Sequence, residues 1–404
     1  MKSLPLLLTS LTLAMLSTLN SPHSTAFAQG VLAPPGAPMP TMKTLAQIEP
    51  RTPISVLPFT ISAPGAYYLT TNLAVSTGNA IIIAANGVTL DLGGWTIAST
   101  APSATGSGIL INSGLRNLSI ANGVILGGVT NNGSGTYGGS GFAYGIYYSS
   151  TAPVNVRVSG VSISGCLYHG INLNVGDATL VENCSVRAAG SYGILASTIK
   201  SSTAVDCGYT SISGDQISDC RGETTLGSYG VFGVNVQNSY GSSAAGGYGL
   251  YAYVAHNCSG LSSSGYGLYA YYSAENCLGQ STSGTGLATR CAGNCYGSST
   301  SGTGLDCSGT AQNCYGVAGN GLGLQAYCAE NCFGSGVSGL DATTAENCMG
   351  YGGAGDGVYV GLTAINCFGS TSSGRGVVAF MASFCHGTSV SGTGLAVDHN
   401  INSF

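Results

Sequence analysis

A repeat marked by cysteine constrains this chain more than any other feature. Its positions recur at a mean spacing of about 18 residues through the second half of the sequence. A unit this short cannot bury its own apolar face, so neighbouring units must stack and share one core. The repeat therefore predicts a β-solenoid. The positions are Cys166, Cys184, Cys207, Cys220, Ser239, Cys258, Cys277, Cys295, Cys314, Cys332, Cys348, Cys367 and Cys385.

The residues around each cysteine predict the shape of one coil. Strand alternation places Ala345 inward and Glu346 outward. Asn347 accepts a left-handed backbone, so it forms a bend that returns Cys348 to the interior. Coils stacked about 4.8 Å apart then carry an asparagine ladder at the corner and a cysteine ladder inside. A second column, glycine followed by Leu, Ile or Val, stands about ten residues before each cysteine.

One interval breaks the spacing. Cys207 and Cys220 are too close in sequence for a full coil. Either a turn is trimmed there or the assignment of these cysteines to one column slips; the sequence leaves both open.

Fifteen cysteines in an exported chain would ordinarily indicate disulfides. Residues stacked in register hold their Cβ atoms too far apart and too nearly parallel for an S–S bond. We therefore expect mostly free, buried thiols that pack as small apolar groups. Cys291 and Cys328 form pairs with Cys295 and Cys332 at zinc-like spacing, but the pairs lie two coils apart and no histidine joins them.

Composition narrows the function classes. Only 6% of residues are charged, 10 Lys and Arg against 15 Asp and Glu, where about 25% is usual. A net charge of −5 without a cationic track makes nucleic acid an unexpected partner. A chain that is 44% hydrophobic is expected to fold rather than stay disordered.

The N-terminus is typical of export. Lys2 precedes an apolar run too short and too polar to span a membrane, and Ala26 and Ala28 form a small-x-small cleavage site. We predict a signal peptide over 1–28, a proline-rich arm over 29–53, cap strands over 54–76, a β-helix over 77–395 and an end segment over 396–404. The expected location is extracellular or at the cell surface, without membrane insertion, and the oligomeric state is open.

The segments 57–69 and 87–94, with the arm at 41–45 and the Asn-Cys coils, carry a resemblance. The chain resembles secreted bacterial right-handed parallel β-helix proteins of the pectin-lyase-like superfamily. The resemblance implies an all-β, right-handed parallel β-helix with three parallel sheets and an N-terminal cap. For many relatives it also implies a carbohydrate ligand.

Four tyrosines are candidates for carbohydrate binding. With Leu250 inward, alternation turns Tyr251 and Tyr253 outward, and the next coil does the same for Tyr269 and Tyr271. A flat surface formed by these four tyrosine rings suits the C–H face of a sugar ring. Stabilisation of neighbouring strands is the structural alternative.

Acid/base candidates follow on the same face. Asp306 and Asp341 are predicted two coils apart, with a notch at Gly323 between them and Arg290 nearby. Carboxyl groups at about 10 Å approach the separation of an inverting glycosidase, although the clustered acidic pattern of the resembled family is not matched. Catalytic residues are therefore not assigned.

Few residues of the sequence suggest a site for a cofactor or a metal ion. No cofactor is expected, and calcium near Asp215 and Asp219 is the one metal left open.

Three functions remain open. The expectation is a secreted, non-catalytic solenoid that binds an extracellular polysaccharide or serves as a surface protein. The alternative is a polysaccharide lyase or glycoside hydrolase acting on an acidic polysaccharide. Ser-Gly-Thr-Gly-Leu turns at 283–287, 301–305 and 391–395 suggest a third, an ice- or mineral-surface binder.

Overall fold

The computed structural model describes residues 48–150 and 153–404, and residues Pro50–Phe404 form one unit. The predicted signal peptide and most of the predicted arm lie outside the described residues. Within the described ranges, no helix has the length and apolarity that crossing a bilayer requires.

The unit is a parallel β-solenoid of about 18 turns. Its first nineteen strands are β1 (Thr52–Ile54), β2 (Phe59–Ile61), β3 (Gly65–Leu69), β4 (Leu73–Val75), β5 (Ile81–Ile83), β6 (Val88–Asp91), β7 (Thr96–Ser99), β8 (Ser107–Ile111), β9 (Arg116–Leu126), β10 (Gly128–Asn131), β11 (Tyr137–Ser140), β12 (Tyr144–Tyr148), β13 (Val154–Cys166), β14 (His169–Asn172), β15 (Asp177–Glu182), β16 (Ser185–Ala189), β17 (Ile194–Leu195), β18 (Thr198–Lys200) and β19 (Thr203–Cys207).

From β20 onward a long strand alternates with a short one. These strands are β20 (Thr210–Ser218), β21 (Arg221–Thr224), β22 (Tyr229–Gln237), β23 (Tyr240–Ser243), β24 (Tyr248–His256), β25 (Ser259–Ser262), β26 (Leu268–Glu275), β27 (Leu278–Ser281), β28 (Leu287–Gly293), β29 (Tyr296–Ser299), β30 (Leu305–Gln312), β31 (Tyr315–Ala318), β32 (Leu322–Glu330), β33 (Phe333–Gly336), β34 (Ser338–Glu346), β35 (Met349–Gly352), β36 (Val358–Ile365), β37 (Phe368–Thr371), β38 (Val377–Ser383), β39 (His386–Ser389) and β40 (Leu395–Ile401).

Three columns of parallel rungs build the solenoid. We call them sheet A, which begins at β1 and β3, sheet B, which begins at β2 and β5, and sheet C, which begins at β4 and β7. Each long strand after β19 supplies a sheet B rung, bends, and continues as a sheet A rung, while each short strand belongs to sheet C. The prediction of a parallel β-solenoid is confirmed. The right-handed sense of the coils stays a prediction, which the near-universal hand of parallel crossovers supports.

The two ends of the solenoid are also formed by parallel pairs. The strands β1 to β4, in the region of the predicted cap strands over 54–76, pair within the three sheets, and the cap stays a prediction. At the other end β40 pairs with β38 as far as Ile401, so the solenoid continues past 395.

An antiparallel hairpin, β10 with β11, also interrupts the parallel pattern. Its Tyr137 hydroxyl donates to Asp206 Oδ1 at 3.0 Å, and Asn131 Nδ2 donates to the same oxygen at 2.7 Å. The hairpin is thereby fixed to a later coil.

The cysteine ladder forms as predicted over most of its length. Cys258, Cys277, Cys295, Cys314 and Cys332 are 1–3% exposed on successive coils. Cys295 Sγ donates to the carbonyl of Gly293 at 3.2 Å, across the bend. The thiol thus satisfies a backbone acceptor at the corner as well as filling the core.

Cys166 and Cys207 do not belong to this ladder. Cys166 pairs with Ala189, Ala189 with Cys207, and Cys207 with Thr224, which places all four in another column of sheet C. Ser202 occupies the ladder position before Cys220, since Thr203 pairs with Arg221. Cys207 and Cys220 are therefore close in sequence because they belong to different columns, and the coil between them has its normal length.

Serine replaces cysteine in the ladder without changing the corner. Ser239 Oγ donates to the carbonyl of Gln237 at 2.8 Å and accepts from the backbone N–H of Cys220 at 3.1 Å. Ser202 makes the equivalent bonds to Lys200 and Cys184. The position therefore requires a small side chain with one hydrogen to donate.

The corner residue before each ladder position has a left-handed backbone, as predicted. Asn257, Asn276 and Asn294 have φ of 52–54°. Neighbouring amides are also linked, as in Asn366 Nδ2 to Asn347 Oδ1 at 2.7 Å.

The glycine column marks a close approach of two sheets. A Cβ on Gly260 of sheet C would lie 2.1 Å from the carbonyl oxygen of Gly267, and one on Gly267 would lie 2.3 Å from the backbone nitrogen of Gln280. Any larger residue would force these backbones apart.

We predict that Phe384→Asn stabilises the protein by about 1 kcal/mol. Phe384 occupies an asparagine corner with φ of 55° and is 61% exposed, and a left-handed backbone costs a residue of this type roughly 1–2 kcal/mol. The free energy of unfolding, from denaturant titration, measures the change. Phe380→Asn, at an exposed position with ordinary backbone, is the control. Equal or lower stability of Phe384→Asn would contradict this reasoning.

We further predict fifteen free thiols. All fifteen cysteines are unpaired in the structure, and only Cys291 and Cys328 are not buried. Burial raises the pKa of the Cys184 and Cys220 thiols to about 11, which suppresses the reactive thiolate.

A thiol reagent should therefore find about two fast groups in the native protein and fifteen in denaturant without reductant. Cys291→Ser should remove one fast group. Fewer than fifteen thiols in denaturant, with the missing cysteines found in disulfides by mass spectrometry, would refute the expectation.

Candidate functional site

Two columns of aromatic rings cover the outer face of sheet B. Tyr229, Tyr248 and Tyr266 form the first, with ring centroids 5.3 and 5.2 Å apart and the rings nearly parallel. Phe232, Tyr251 and Tyr269 form the second, at 5.2 Å for each step. Strand register causes this, because Phe232 pairs with Tyr251 and Tyr251 with Tyr269.

The four tyrosines predicted from the sequence do come together, but they do not form a flat tier. Tyr251 and Tyr269 are half-buried and stack on each other, so their facing sides are covered. Tyr253 and Tyr271 are 37% and 48% exposed, and the ring of Tyr253 stands at 80° to that of Tyr251. The structure adds Tyr272, 49% exposed, at a bulge where β26 carries one residue more than β24.

Both aromatic columns end at the same coil. Ala288 pairs with Tyr269 and takes the position of the next ring. In the other column, Gly249 N–H bonds to the carbonyl of Tyr266, and Gly267 N–H bonds to that of Thr285, so a threonine follows the last ring. The rings of Tyr266 and Tyr269 therefore have no aromatic neighbour on this side.

A cleft of about 180 Å³ opens at this end of the stack, and we call it the slot. Asp306, which pairs with Ala288, stands on the side opposite Tyr269. The slot is thus one coil wide, with Ala288 as its floor. Its lining residues are Tyr266, Tyr269, Tyr271, Ala288, Thr289, Arg290, Asp306 and Ser308.

The charged groups of the slot are not paired with each other. The Asp306 side chain forms no hydrogen bond or ion pair within the described residues, and burial raises the pKa of its carboxyl. Arg290 is exposed and likewise forms no ion pair among those residues. The slot is therefore lined by a hydrogen-bond acceptor, Asp306, and by a cation, Arg290, and neither is paired with another side chain of the described residues.

The predicted acid/base group needs two corrections. Asp306 pairs with Gln325 and Gln325 with Asp341, so Gln325, not Gly323, separates the carboxylates. Arg290 does not share their column, since Ala288 occupies that register and Arg290 follows two residues later, at the bend between sheets B and A. Asp306 and Arg290 both line the slot, whereas Asp341 lies two rungs away.

The calcium candidates occupy different corners of one coil. Asp215 lies at the bend between the sheet B and sheet A parts of β20. Asp219 lies at an asparagine-ladder corner with φ of 58°, where Asn238 Nδ2 donates to its carboxylate at 3.2 Å. Across the ranges that the structure describes, no three His, Cys, Asp or Glu side chains are grouped to hold a metal ion.

The threonines of the Ser-Gly-Thr-Gly-Leu turns do not form a continuous column. The successive carbonyls that accept from the glycine column belong to Thr285, Thr303 and Leu322, and later to Asp356 and Arg375. A regular array of threonines, which a surface lattice would require, is interrupted.

Comparisons with known proteins give fold-level similarity alone. No protein-family model matches the chain, and no curated protein does either. Among solved structures it is similar to the catalytic domain of a GH87 α-1,3-glucanase in complex with nigerose, with 12% identity, 87% of this chain and 61% of that chain covered, and a TM-score of 0.35.

The chain is also similar to the A-module of the mannuronan C-5 epimerase AlgE4 of Azotobacter vinelandii, with 12% identity, coverage of 84% and 91%, and a TM-score of 0.25. A third similarity is to the polygalacturonase of Erwinia carotovora ssp. carotovora, with 13% identity, coverage of 86% and 96%, and a TM-score of 0.25. These are pectin-lyase-like β-helix proteins. No residue of the slot is assigned from them.

We predict that Asp306→Asn stabilises the protein at pH 7. Because burial raises the pKa of Asp306, the folded state binds more protons than the unfolded state between the ordinary value near 4 and the raised one. Stability is therefore lost as pH rises through that window. The thermal midpoint of the variant should exceed that of the wild type at pH 7 and converge with it below about pH 4.

Glu346→Gln, which removes an exposed carboxyl from sheet A, is the matched control for this measurement. A pH-independent difference for Asp306→Asn would show that burial of the charge is not the cause.

Proposed function

We propose that this chain is a secreted β-solenoid that binds a polysaccharide through the slot. The observation that carries the proposal is the end of the Tyr269 stack beside the unpaired Asp306 carboxyl. An aromatic face packs against the C–H face of a sugar ring. A carboxylate accepts hydrogen bonds from the hydroxyls at the ring edge.

The dimensions of the slot suit a ligand that is as wide as one sugar ring. The slot has a volume of about 180 Å³. Tyr269 and Asp306 stand two rungs apart, about 10 Å between backbones, which leaves space for one planar or chair-shaped ring between them. Arg290 at the side could pair with an acidic or hydroxyl substituent.

Binding is favoured over cleavage by the number of carboxyl groups. Glycoside hydrolysis ordinarily uses two carboxyls that flank the scissile bond. The slot contains Asp306 alone. Asp341 lies two rungs away, about 10 Å between backbones, which is slightly more than the separation of about 6.5–9.5 Å between the carboxyls of inverting enzymes. Polysaccharide cleavage remains the alternative function, and a depolymerisation assay on the bound polymers decides between them.

Export is part of the proposal and rests on the sequence. The N-terminal run with its small-x-small site indicates a leader. The low charge of the chain is consistent with a polysaccharide rather than a nucleic acid as partner.

The test fills the slot without disturbing the core. Ala288→Tyr should extend the Tyr251–Tyr269 column by one ring and occupy the ligand position, so binding to a panel of soluble polysaccharides, measured by affinity electrophoresis, should be lost. Tyr269→Ala should weaken binding several-fold, since an aromatic contact of this kind contributes about 1 kcal/mol. Tyr269 is half-buried on the outer face, so the thermal midpoint of Tyr269→Ala should stay near the wild-type value. Ala288 is 5% exposed because its neighbours cover it, so the thermal midpoint of Ala288→Tyr is measured first to verify that the variant folds.

Val378→Tyr is the matched control, because it adds the same ring to the same column beside Tyr359, outside the slot. A folded Ala288→Tyr variant that binds as tightly as wild type would exclude the slot. Absence of binding to every polysaccharide of the panel would refute the function itself.

A further inference from the structure

A line of aromatic rings runs along the outer face of sheet C. Tyr296, Tyr315 and Phe333 stack in order, with ring centroids 6.3 and 4.2 Å apart and neighbouring rings within 20° of parallel. Four further rings continue the line, with successive centroids 4.8–5.9 Å apart, and these are Tyr351, Phe368, His386 and Phe404. None of the seven rings is buried.

The face that carries these rings is neutral over nine rungs. In each short strand from β23 to β39, alternation turns the first and third residues outward, which gives two columns. No Asp, Glu, Lys or Arg occurs in either column over these nine strands, all of which lie in the described part of the chain. The first column holds Tyr240, Ser259, Leu278, Tyr296, Tyr315, Phe333, Met349, Phe368 and His386, and the second holds Ser242, Leu261, Gln280, Ser298, Val317, Ser335, Tyr351, Ser370 and Thr388.

The two columns differ in side-chain size at most rungs. Phe333 stands beside Ser335, so a ring adjoins a small residue. At another rung the order is reversed, and Ser259 stands beside Leu261. Each of these rungs therefore offers one projection and one recess. Two rungs have side chains of similar size, Leu278 with Gln280 and Met349 with Tyr351.

A face with this pattern is complementary to a second copy of itself. In an interface with two-fold symmetry, the same patch of both copies is used and every contact forms twice. If two such faces meet about an axis parallel to the solenoids, the first column of each copy lies over the second column of the other, rung by rung. The rings then enter the recesses. A two-fold axis across the solenoids would instead set ring column against ring column.

The charges at the head of the two columns fit the same arrangement. Arg221 pairs with Tyr240 and so begins the first column, and Glu223 pairs with Ser242 and begins the second. Within one chain, Arg221 Nε donates to Glu223 Oε1 at 2.8 Å. The parallel two-fold axis would place Arg221 opposite Glu223 of the second copy, and Glu223 opposite its Arg221. Charges of opposite sign would then meet twice across the interface.

The face is also large enough for a stable interface. Ten rungs from that of Arg221 to that of His386 extend over about 43 Å. With two outward side chains each, they reach the roughly 20–30 residues that each partner contributes to an interface of standard size. An exposed apolar surface of this length is unusual on a monomer.

Sheet C is better suited to self-association than the other two faces. Outward carboxylates occur on sheet A at Glu330 and Glu346, and on sheet B at Asp306 and Asp341. Two copies of a chain with a net charge of −5 repel each other least where no carboxylate faces the contact.

We propose that two copies of this chain associate side by side through sheet C, with their solenoid axes parallel and pointing in the same direction. The line of rings in each copy packs against the small residues of the second column in the other. Arg221 and Glu223 fix the register at one end. The dimer does not depend on saccharide binding, because the slot lies on sheet B.

Sedimentation equilibrium of the purified protein at about 1–100 µM tests the proposal. The wild type should have twice the mass of one chain. Tyr315→Lys should raise the dissociation constant of the dimer at least about a hundredfold, because it leaves an unpaired charge inside the contact. Tyr359→Lys, the same change at an exposed tyrosine of sheet B, is the matched control and should leave the dimer unchanged.

An exchange of charges tests the orientation. Arg221→Glu should weaken the dimer about tenfold at low salt, because carboxylates then face each other at two places. Adding Glu223→Arg to this variant should restore the dimer, since opposite charges meet again. High salt should reduce the difference between the single and the double variant.

Thermal midpoints verify that each variant folds. Ser298→Lys, which fills a recess of the second column, should also dissociate the dimer and replaces Tyr315→Lys if that variant unfolds. A wild type that stays monomeric over the whole concentration range, or a dimer that both lysine variants leave intact, would refute association through sheet C. A dimer that Tyr315→Lys dissociates but Arg221→Glu does not weaken would refute the parallel orientation.

Discussion

In-register stacking of rungs about 4.8 Å apart is the constraint on which the rest of this structure depends. It turns each position of the repeat into a column, so a residue's nearest outward neighbours are its equivalents on adjacent coils. Tyrosine stacks on tyrosine at 5.2 Å, and asparagine amides bond to asparagine amides. Inside, the same rule aligns the thiols with one another and with Ser239. Outward side chains at equivalent positions of successive coils therefore form columns that run along the solenoid axis.

The slot follows from an interruption of a column rather than from an added loop. Phe232, Tyr251 and Tyr269 cover one another, and the series stops at Ala288. A small residue at one rung leaves a gap whose two sides are the residues before and after it. Here those residues are an aromatic ring and an unpaired carboxyl, which differ in chemistry although they share a column.

Much of the fold could be predicted because its signals are local. The Asn-Cys pair marks each corner, since few residues accept the left-handed backbone that Asn347 adopts. The errors concern register between coils: Cys166 precedes Cys184 by the ladder spacing, yet Cys166 and Cys207 both lie in the column of Thr224. Gln325 was likewise missed, because a register shift after Cys307 changes the number of residues between the sheet B position and the ladder cysteine from β30 to β32. No local pattern reports such a shift.

The exchange of cysteine and serine at the corner has a consequence for how such a protein can evolve. Whichever of the two residues a coil carries, the side chain donates to the carbonyl two residues earlier, so each coil closes its corner in the same way. Duplication or loss of one coil would lengthen or shorten each column by a single rung. The extent of an outer face such as that of sheet B is thus inherited in discrete steps, one coil at a time.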